Sequence, residues 1–350
     1  MSAVDVSPVA SPKVERLTIS DLSVRFTVGH TGPAFRRRAV VLSAVDRVDL
    51  VLEPGVSIGI VGESGSGKST LARAVAGLAD PTEGTIQLGS ALLRGARDRI
   101  MSRRVQMVFQ DPASSLNPRR TVRSMLRELL LVQRLRTAAE VDARIEELVS
   151  MVELPVSVLD RRPRGLSGGQ RQRIGIARAL ALEPEVLVLD EPLAALDVSV
   201  QASVLILLRR LQAELGFSMV FISHDLGAVR GLCDEVAVMY LGRIVEYGPV
   251  AQVLEAPAHP YTKALIAAEP SIDHPRPPGS AGLRGEVPSP IDPPSGCGFR
   301  TRCPIVRPAC AEIRPALQPP IGSGGHPALD LAPAHTAACL VASGEIDGGS

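Results

Sequence analysis

VSIGIVGESGSGKSTLARAVAGL, Val56 to Leu78, decides the fold. The apolar run from Val56 to Val61 reads as a buried strand, and the Ala- and Leu-bearing stretch after the glycines reads as a helix. Between them Gly62, Glu63, Ser64, Gly65, Ser66, Gly67, Lys68 and Ser69 satisfy G-x-x-x-x-G-K-[ST] in the strand-then-helix context that gives the pattern meaning. Glycine lets the backbone wrap until its N–H groups converge on phosphate oxygens. Lys68 supplies a compact mobile charge for the β- and γ-phosphates, and Ser69 a hydroxyl for Mg²⁺. The lysine is informative in itself: the chain has 38 basic residues, yet only Lys13, Lys68 and Lys263 are lysine. A planar guanidinium would not replace the point charge that this cradle needs.

Working outward, VLVLD (Val186 to Asp190) and SMVFIS (Ser218 to Ser223) are continuous apolar runs, the pattern of parallel strands buried on both faces. Val105 to Phe109 is a further strand candidate, and strand-and-turn text begins at Leu17. Helical stretches lie between these runs, so the fold class is α/β with a mainly parallel sheet and an N-terminal β region. SMLRELLLVQRLRTAAEVDARIEELVSMV (Ser124 to Val152) reads instead as a helical insertion.

In open α/β sheets ligands sit at the carboxyl ends of strands. Asp190 and Glu191 end one buried strand beside the expected phosphates, so Asp190 is expected to hold Mg²⁺ and Glu191 to take a proton from an attacking water. FISHDL places His224 at another strand end, within reach of a γ-phosphate or of that water. Gln110 closes VQMVFQ, uncharged and able to bridge metal and water.

LSGGQRQRIGIARALA (Leu166 to Ala181) poses a separate question. Paired glycines opening an amphipathic helix make a second anion site, about a hundred residues after the first.

Composition bounds the rest. The formal net charge is +1, which offers no electrostatic argument for nucleic acid. No run approaches the roughly 20 apolar residues of a membrane span, and the first residues lack the order of a signal peptide; a cytoplasmic protein is expected. Four of the 5 cysteines (Cys297, Cys303, Cys310 and Cys339) fall near the end, where proline is also concentrated. Four thiols in a tail poor in apolar core suit a structural [4Fe–4S] cluster or zinc, with free thiols as the alternative.

GESGSGKST, VFQDP, LSGGQRQR, VLVLDEP, LAALD and SHD, in this order, resemble the nucleotide-binding subunit of an ABC transporter. SSLNPR, EPLAALDVSVQ, VMYLGRIVEYGPV, APAHPYTKALIAAEP and GCGFRTRCP narrow the resemblance to the ATPase subunits of oligopeptide, dipeptide and nickel importers. The resemblance implies a P-loop ATPase core over residues 17–265, with its helical insertion at about 112–170. A flexible lead (1–16) precedes it, and an oligopeptide-transporter-type extension (266–350) follows. It implies ATP held by the loop from Gly62 to Thr70, with Phe26 stacking on adenine and Mg²⁺ near Ser69, Gln110 and Asp190. Ser167, Gly168, Gly169 and Gln170 would bind the γ-phosphate of ATP held by a second cassette, and Asp197 would belong to the loop crossing to that subunit. Two anion sites then exist because each is half of a composite site. The implied partners are a second ATPase subunit, two membrane permeases that meet the cassette near Gln110, and an extracytoplasmic solute-binding protein. The implied location is the cytoplasmic face of the membrane. Ser66 stands where these importers commonly have cysteine, and Ala194 where they commonly have serine.

Overall fold

The computed structural model describes residues 14–31, 37–93, 99–111, 116–269, 285–321 and 334–346. Most of the expected lead, the start of the helical insertion at residue 112 and the Pro-rich stretch 270–284 lie outside the described residues.

Two sheets organise the chain. The first is antiparallel, in the order β2-β1-β4-β5, built from β1 (Leu17–Thr31), β2 (Arg38–Leu52), β4 (Glu83–Leu88) and β5 (Ala91–Leu92). The second has the order β11-β10-β9-β3-β8-β7-β6. Its strands are β3 (Ser57–Val61), β6 (Val105–Val108), β7 (Val186–Asp190), β8 (Ser218–Ile222), β9 (Glu235–Tyr240), β10 (Arg243–Pro249) and β11 (Thr336–Ala337). From β6 to β9 every pairing is parallel, and β10 and β11 add antiparallel strands at one edge.

Burial explains why these segments are strands with no polar alternation. Along β7, Val186 and Val188 face a core shared with the antiparallel sheet and helix α1 (Lys68–Val75). Leu187 and Leu189 face the opposite core, shared with the later helices. A strand covered on both faces tolerates no polar residue on either, which is the pattern seen in the sequence. Three strand ends expected from the sequence shift by one residue: Val56, Phe109 and Ser223 fall just outside β3, β6 and β8. Val56 instead closes a tight turn, its N–H donating to Glu53 O at 3.2 Å.

After α2 (Arg99–Arg104) and β6, the described chain is helical until β7. It contains α3 (Val122–Val132), α4 (Val141–Met151), two short 3₁₀ turns and α5 (Gly168–Leu180). Thr121 caps α3, its side chain accepting from the Ser124 N–H. Val122, Leu126 and Leu130 of α3 and Val141, Ile145 and Leu148 of α4 recur at helical spacing and are buried. Beyond β7 come α6 (Val198–Leu215), α7 (Leu226–Leu232), α8 (Val250–Glu255), α9 (Pro260–Ala268) and a short α10 (Ala309–Glu312). No helix among the described residues is long and apolar enough to cross a membrane.

The described residues from 285 onward fold back on this body. β11 pairs with β10 through Glu246↔Ala337 and Tyr247↔Thr336. Phe299 packs into an aromatic group with Tyr240 and Tyr261, at centroid distances of 5.4 Å to each.

Candidate nucleotide site

The loop between β3 and α1 turns through three glycines with positive φ: Gly62 (149°), Gly65 (79°) and Gly67 (105°). Two of them are also demanded by close approach. A Cβ on Gly62 would lie 2.2 Å from Met239 O, and one on Gly67 would lie 2.1 Å from Ala44 O. Nothing stands within 4 Å of a Cβ built on Gly65, so the outer side of the loop is open.

Lys68 is 5% exposed. Its ammonium donates to Gly62 O and Glu63 O, each at 2.8 Å, and to Ser66 Oγ at 3.4 Å. Burial lowers its pKa from the usual lysine value, while the carboxylates of Glu191, Asp190 and Glu63 pull the other way. The charge is therefore held in the loop mainly by two backbone carbonyls. Ser69 Oγ donates to Asp190 Oδ1 at 2.8 Å, and burial raises the Asp190 carboxyl, which is 3% exposed. A hydroxyl and a carboxylate oxygen side by side, next to an open phosphate cradle, are the hard donors that Mg²⁺ takes.

Parallel pairing brings the other polar residues to the same edge. Asp190 lies opposite Ile222 in the register, so Glu191 and His224 leave neighbouring strands at the same end. Glu191 adopts a positive φ of 45°, with its N–H bonded to Ile222 O at 3.1 Å. Its Oε2 accepts from Gln110 Nε2 at 3.1 Å and lies 3.7 Å from His224 Nδ1. Lys68, Ser69, Asp190, Glu191, Gln110 and His224 thus form one cluster at the carboxyl ends of β3, β6, β7 and β8. His224 is 68% exposed and Phe26 42%, the latter on β1 opposite Leu42.

The second anion motif lies elsewhere. α5 packs on β6, where Gly175 meets Val108, and β6 is three strand spacings, about 14 Å, from β3. Ser167 and Gln170 form a capping box: Ser167 Oγ accepts from the Gln170 N–H at 3.2 Å, and Gln170 Oε1 accepts from the Ser167 N–H at 3.0 Å. Gly168 and Gly169 lie against the start of α6, where a Cβ on Gly169 would approach Val200 Cγ1 to 2.6 Å. Asp197 caps α6. Its Oδ1 accepts from the Val200 N–H at 3.0 Å and from Ser199 Oγ at 2.7 Å, and these bonds lower its pKa. Within the single chain, then, both sets of polar groups are satisfied locally, away from Lys68.

Two residues at the loop were not anticipated from sequence. Tyr261, on α9, accepts the Glu63 N–H at 2.7 Å, and Arg302 holds the Glu63 carboxylate at 2.7 and 3.1 Å. They lie far along the chain from Glu63, and no local pattern joins them to it. The Ser167-x-x-Gln170 spacing, by contrast, was a readable capping-box signal.

The expected metal centre is not supported by the structure. Cys297, Cys303, Cys310 and Cys339 line one small pocket with Pro260 and Phe299. Among the described residues, however, no group of three or more His, Cys, Asp or Glu side chains is placed to hold a metal ion. Burial pushes the Cys297 thiol up to about 11 and raises Cys303 as well, which favours protonated sulfur in this apolar pocket.

Comparison with known proteins agrees with this geometry. Residues 45–194 match the ABC transporter family, and residues 245–310 match the oligopeptide/dipeptide transporter C-terminal region. A putative peptide import ATP-binding protein of Brucella ovis is 45% identical over 322 residues, covering 91% of this chain and 97% of that one. The oligopeptide transport ATP-binding protein OppF of Salmonella typhimurium is 47% identical over 308 residues (86% and 92% covered). AppF of Bacillus subtilis, an oligopeptide transport ATP-binding protein, is 43% identical over 314 residues (87% and 91%). Among solved structures, the dimeric post-hydrolysis state of the ATP-binding cassette MJ0796 with ADP and Pi is 27% identical. That match covers 67% of this chain and 98% of that one, with a TM-score of 0.59. A doubly covered parallel sheet, a glycine cradle and these matches together identify the chain as a member of the ABC transporter family, in its oligopeptide/dipeptide ATP-binding branch.

Proposed function

We propose that this chain is the ATP-hydrolysing subunit that energises an importer of peptides or a related small solute. The observation that carries the reading is the convergence of Lys68, Ser69, Asp190, Glu191, Gln110 and His224 at one edge of the sheet, beside an open glycine cradle. The backbone N–H groups from Gly62 to Thr70 and the Lys68 ammonium bind the phosphates, and Phe26 stacks on the adenine. Ser69, Asp190 and Gln110 would hold Mg²⁺, whose charge would offset that of the phosphates. Glu191 accepts the proton of the attacking water, and His224 steadies that water or the γ-phosphate. ATP held by a second cassette meets Ser167, Gly168, Gly169 and Gln170, with Asp197 at the crossing. The Ser167 hydroxyl accepts in the capping box and keeps its own O–H to donate, and the box holds that hydroxyl at the helix N-terminus.

The cassette spans residues 17–265 and the extension 266–350. The partners are a second, different ATPase subunit, two permeases that anchor the pair at the cytoplasmic face of the membrane, and an extracytoplasmic solute-binding protein. Four thiols around one pocket are donors of the right kind for a [4Fe–4S] cluster or zinc, but Cys297, Cys303, Cys310 and Cys339 would have to reorient from their present positions to hold either. Iron, sulfide and zinc analysis of anaerobically purified protein tests this, and metal-free, fully folded chain with four titratable thiols refutes it.

Reconstitution with the neighbouring permeases in vesicles tests the transport reading. ATP-driven accumulation of a peptide carried by the cognate solute-binding protein, abolished by Glu191→Gln, is expected. Uptake that persists in that variant refutes it.

A further inference from the structure

We propose that Arg302, with Tyr261, is a positioning residue for ATP binding: the extension braces the phosphate loop through Glu63. The proposal rests on the reading of residues 62–70 as the ATP cradle and adds a part of the chain outside it.

Glu63 is the hub of the loop. Its carbonyl and that of Gly62 are the two acceptors at 2.8 Å that set the position of the Lys68 ammonium. Its N–H is held by the Tyr261 hydroxyl at 2.7 Å. Its carboxylate takes two bonds from Arg302, Nη1 to Oε2 at 2.7 Å and Nη2 to Oε1 at 3.1 Å, a fork that fixes orientation as well as distance. All three polar parts of Glu63 are thus engaged, two of them by residues from beyond the sheet core.

The Arg302 side chain is only 3% exposed, and its guanidinium carbon stands 5.9 Å from the ring centres of both Tyr240 and Phe299. Tyr240 and Tyr261 are themselves 4.6 Å apart. The chain has only 3 Tyr and 6 Phe and no Trp, yet two rings flank this one arginine and a third, Tyr261, packs on both of them. A buried guanidinium whose fork is taken by a carboxylate is strongly committed to that carboxylate.

The consequence for ATP follows from the glycines. Three positive-φ glycines leave the loop few side chains of its own to fix its shape. An unbraced loop must order itself on binding, which costs conformational entropy for each residue fixed. Tying Glu63 from outside settles part of that ordering in advance, which raises affinity without touching the bond being broken. Loss of the brace should therefore appear in ATP affinity and KM, not in kcat at saturating ATP.

The test uses the full chain, with ATP binding read by calorimetry, and the assembled transporter for kinetics. Arg302→Gln and Glu63→Gln should each weaken ATP binding about tenfold, in the range of coupled neighbours in one network. The double variant should be no worse than either single one, and Arg302→Lys should recover part of the loss. KM should rise in parallel while kcat stays within about twofold. Arg300→Gln, which removes a neighbouring cation bonded to Ser295 within the extension, should bind ATP as the parent does. Lys68→Ala serves as the control for the cradle itself. If that variant keeps parental affinity the cradle reading fails, whereas if it loses affinity and a folded Arg302→Gln does not, the brace alone is refuted. Additive losses in the double variant also refute it. Should Arg302→Gln not fold, Tyr261→Phe decides, since it removes only the hydroxyl that holds the Glu63 N–H. Weakened binding supports the brace, and parental affinity overturns it.

Discussion

His259 provides a pH-dependent prediction whose size can be worked from the structure. It is the N-cap of α9, with Nδ1 accepting the Tyr261 N–H at 3.0 Å, and it is 1% exposed. An imidazole that must accept at Nδ1 and cannot reach water resists protonation, and burial lowers its pKa from 6.5 to about 4. The unfolded chain therefore binds a proton below about pH 6.5 that the folded chain refuses until about pH 4. Stability is present above the higher value and is lost as pH falls through this window. At about 1.4 kcal/mol per pH unit the full effect is roughly 3 kcal/mol, of which about 2 kcal/mol falls between pH 7 and pH 5. His259→Asn keeps an N-cap acceptor for the Tyr261 N–H but does not titrate. Urea unfolding of both proteins at pH 7 and pH 5 isolates the term, because every other titrating group is common to the pair. The parent should lose about 2 kcal/mol more than the variant. Equal losses, within about 0.5 kcal/mol, would show that His259 does not carry the linkage.

Lys68→Ala should weaken ATP binding, whereas Glu191→Gln should retain ATP and lose about 10²–10⁴ in turnover, since it removes the proton acceptor and leaves the cradle intact. Equal loss of binding in both would contradict the assignment. Ser167→Arg should leave ATP binding by the isolated chain nearly unchanged, and lower hydrolysis at the partner cassette's loop in the assembled transporter by about 10²–10³. Nucleotide trapping that separates the two ATPases measures this, and failure of the isolated variant to bind ATP would refute a role across the dimer. Gly67→Ala forces a Cβ to within 2.1 Å of Ala44 O at a φ of 105°, so it should cost at least about 2 kcal/mol of stability in thermal or urea unfolding. A variant as stable as the parent would show that this close approach relaxes freely.

Legibility in the sequence followed the range of the interactions. The cradle, the strand-end acids and His224 were readable because each is a short motif at the end of an apolar run, and parallel pairing then brings such ends together by geometry. β1 and β2 were harder, since register shifts near Leu22, Val24 and Gly29 break the period-2 alternation that marks a strand. The Tyr261 and Arg302 contacts to Glu63 span 198 and 239 residues, and no periodicity or spacing rule reaches so far. The cysteines were partly readable. Their crowding near the end of the sequence was visible, but their gathering on a pocket walled by Pro260 and Phe299 depends on how the extension folds back.

That return of the chain has a consequence during synthesis. β10 is an edge strand until β11 covers it, and its Glu246 is fully buried, accepting from the Ala258 and His259 N–H groups and lying 2.7 Å from His335 Nε2. The closing residues, Thr336 and Ala337, follow β10 by almost ninety positions. At elongation rates of about 5–20 residues per second, a growing chain carries an uncovered sheet edge for roughly ten seconds. Edges of this kind recruit other strands. A nascent or prematurely terminated chain is thus expected to aggregate more readily, and pairing of Thr336 and Ala337 covers the part of the edge around the buried Glu246.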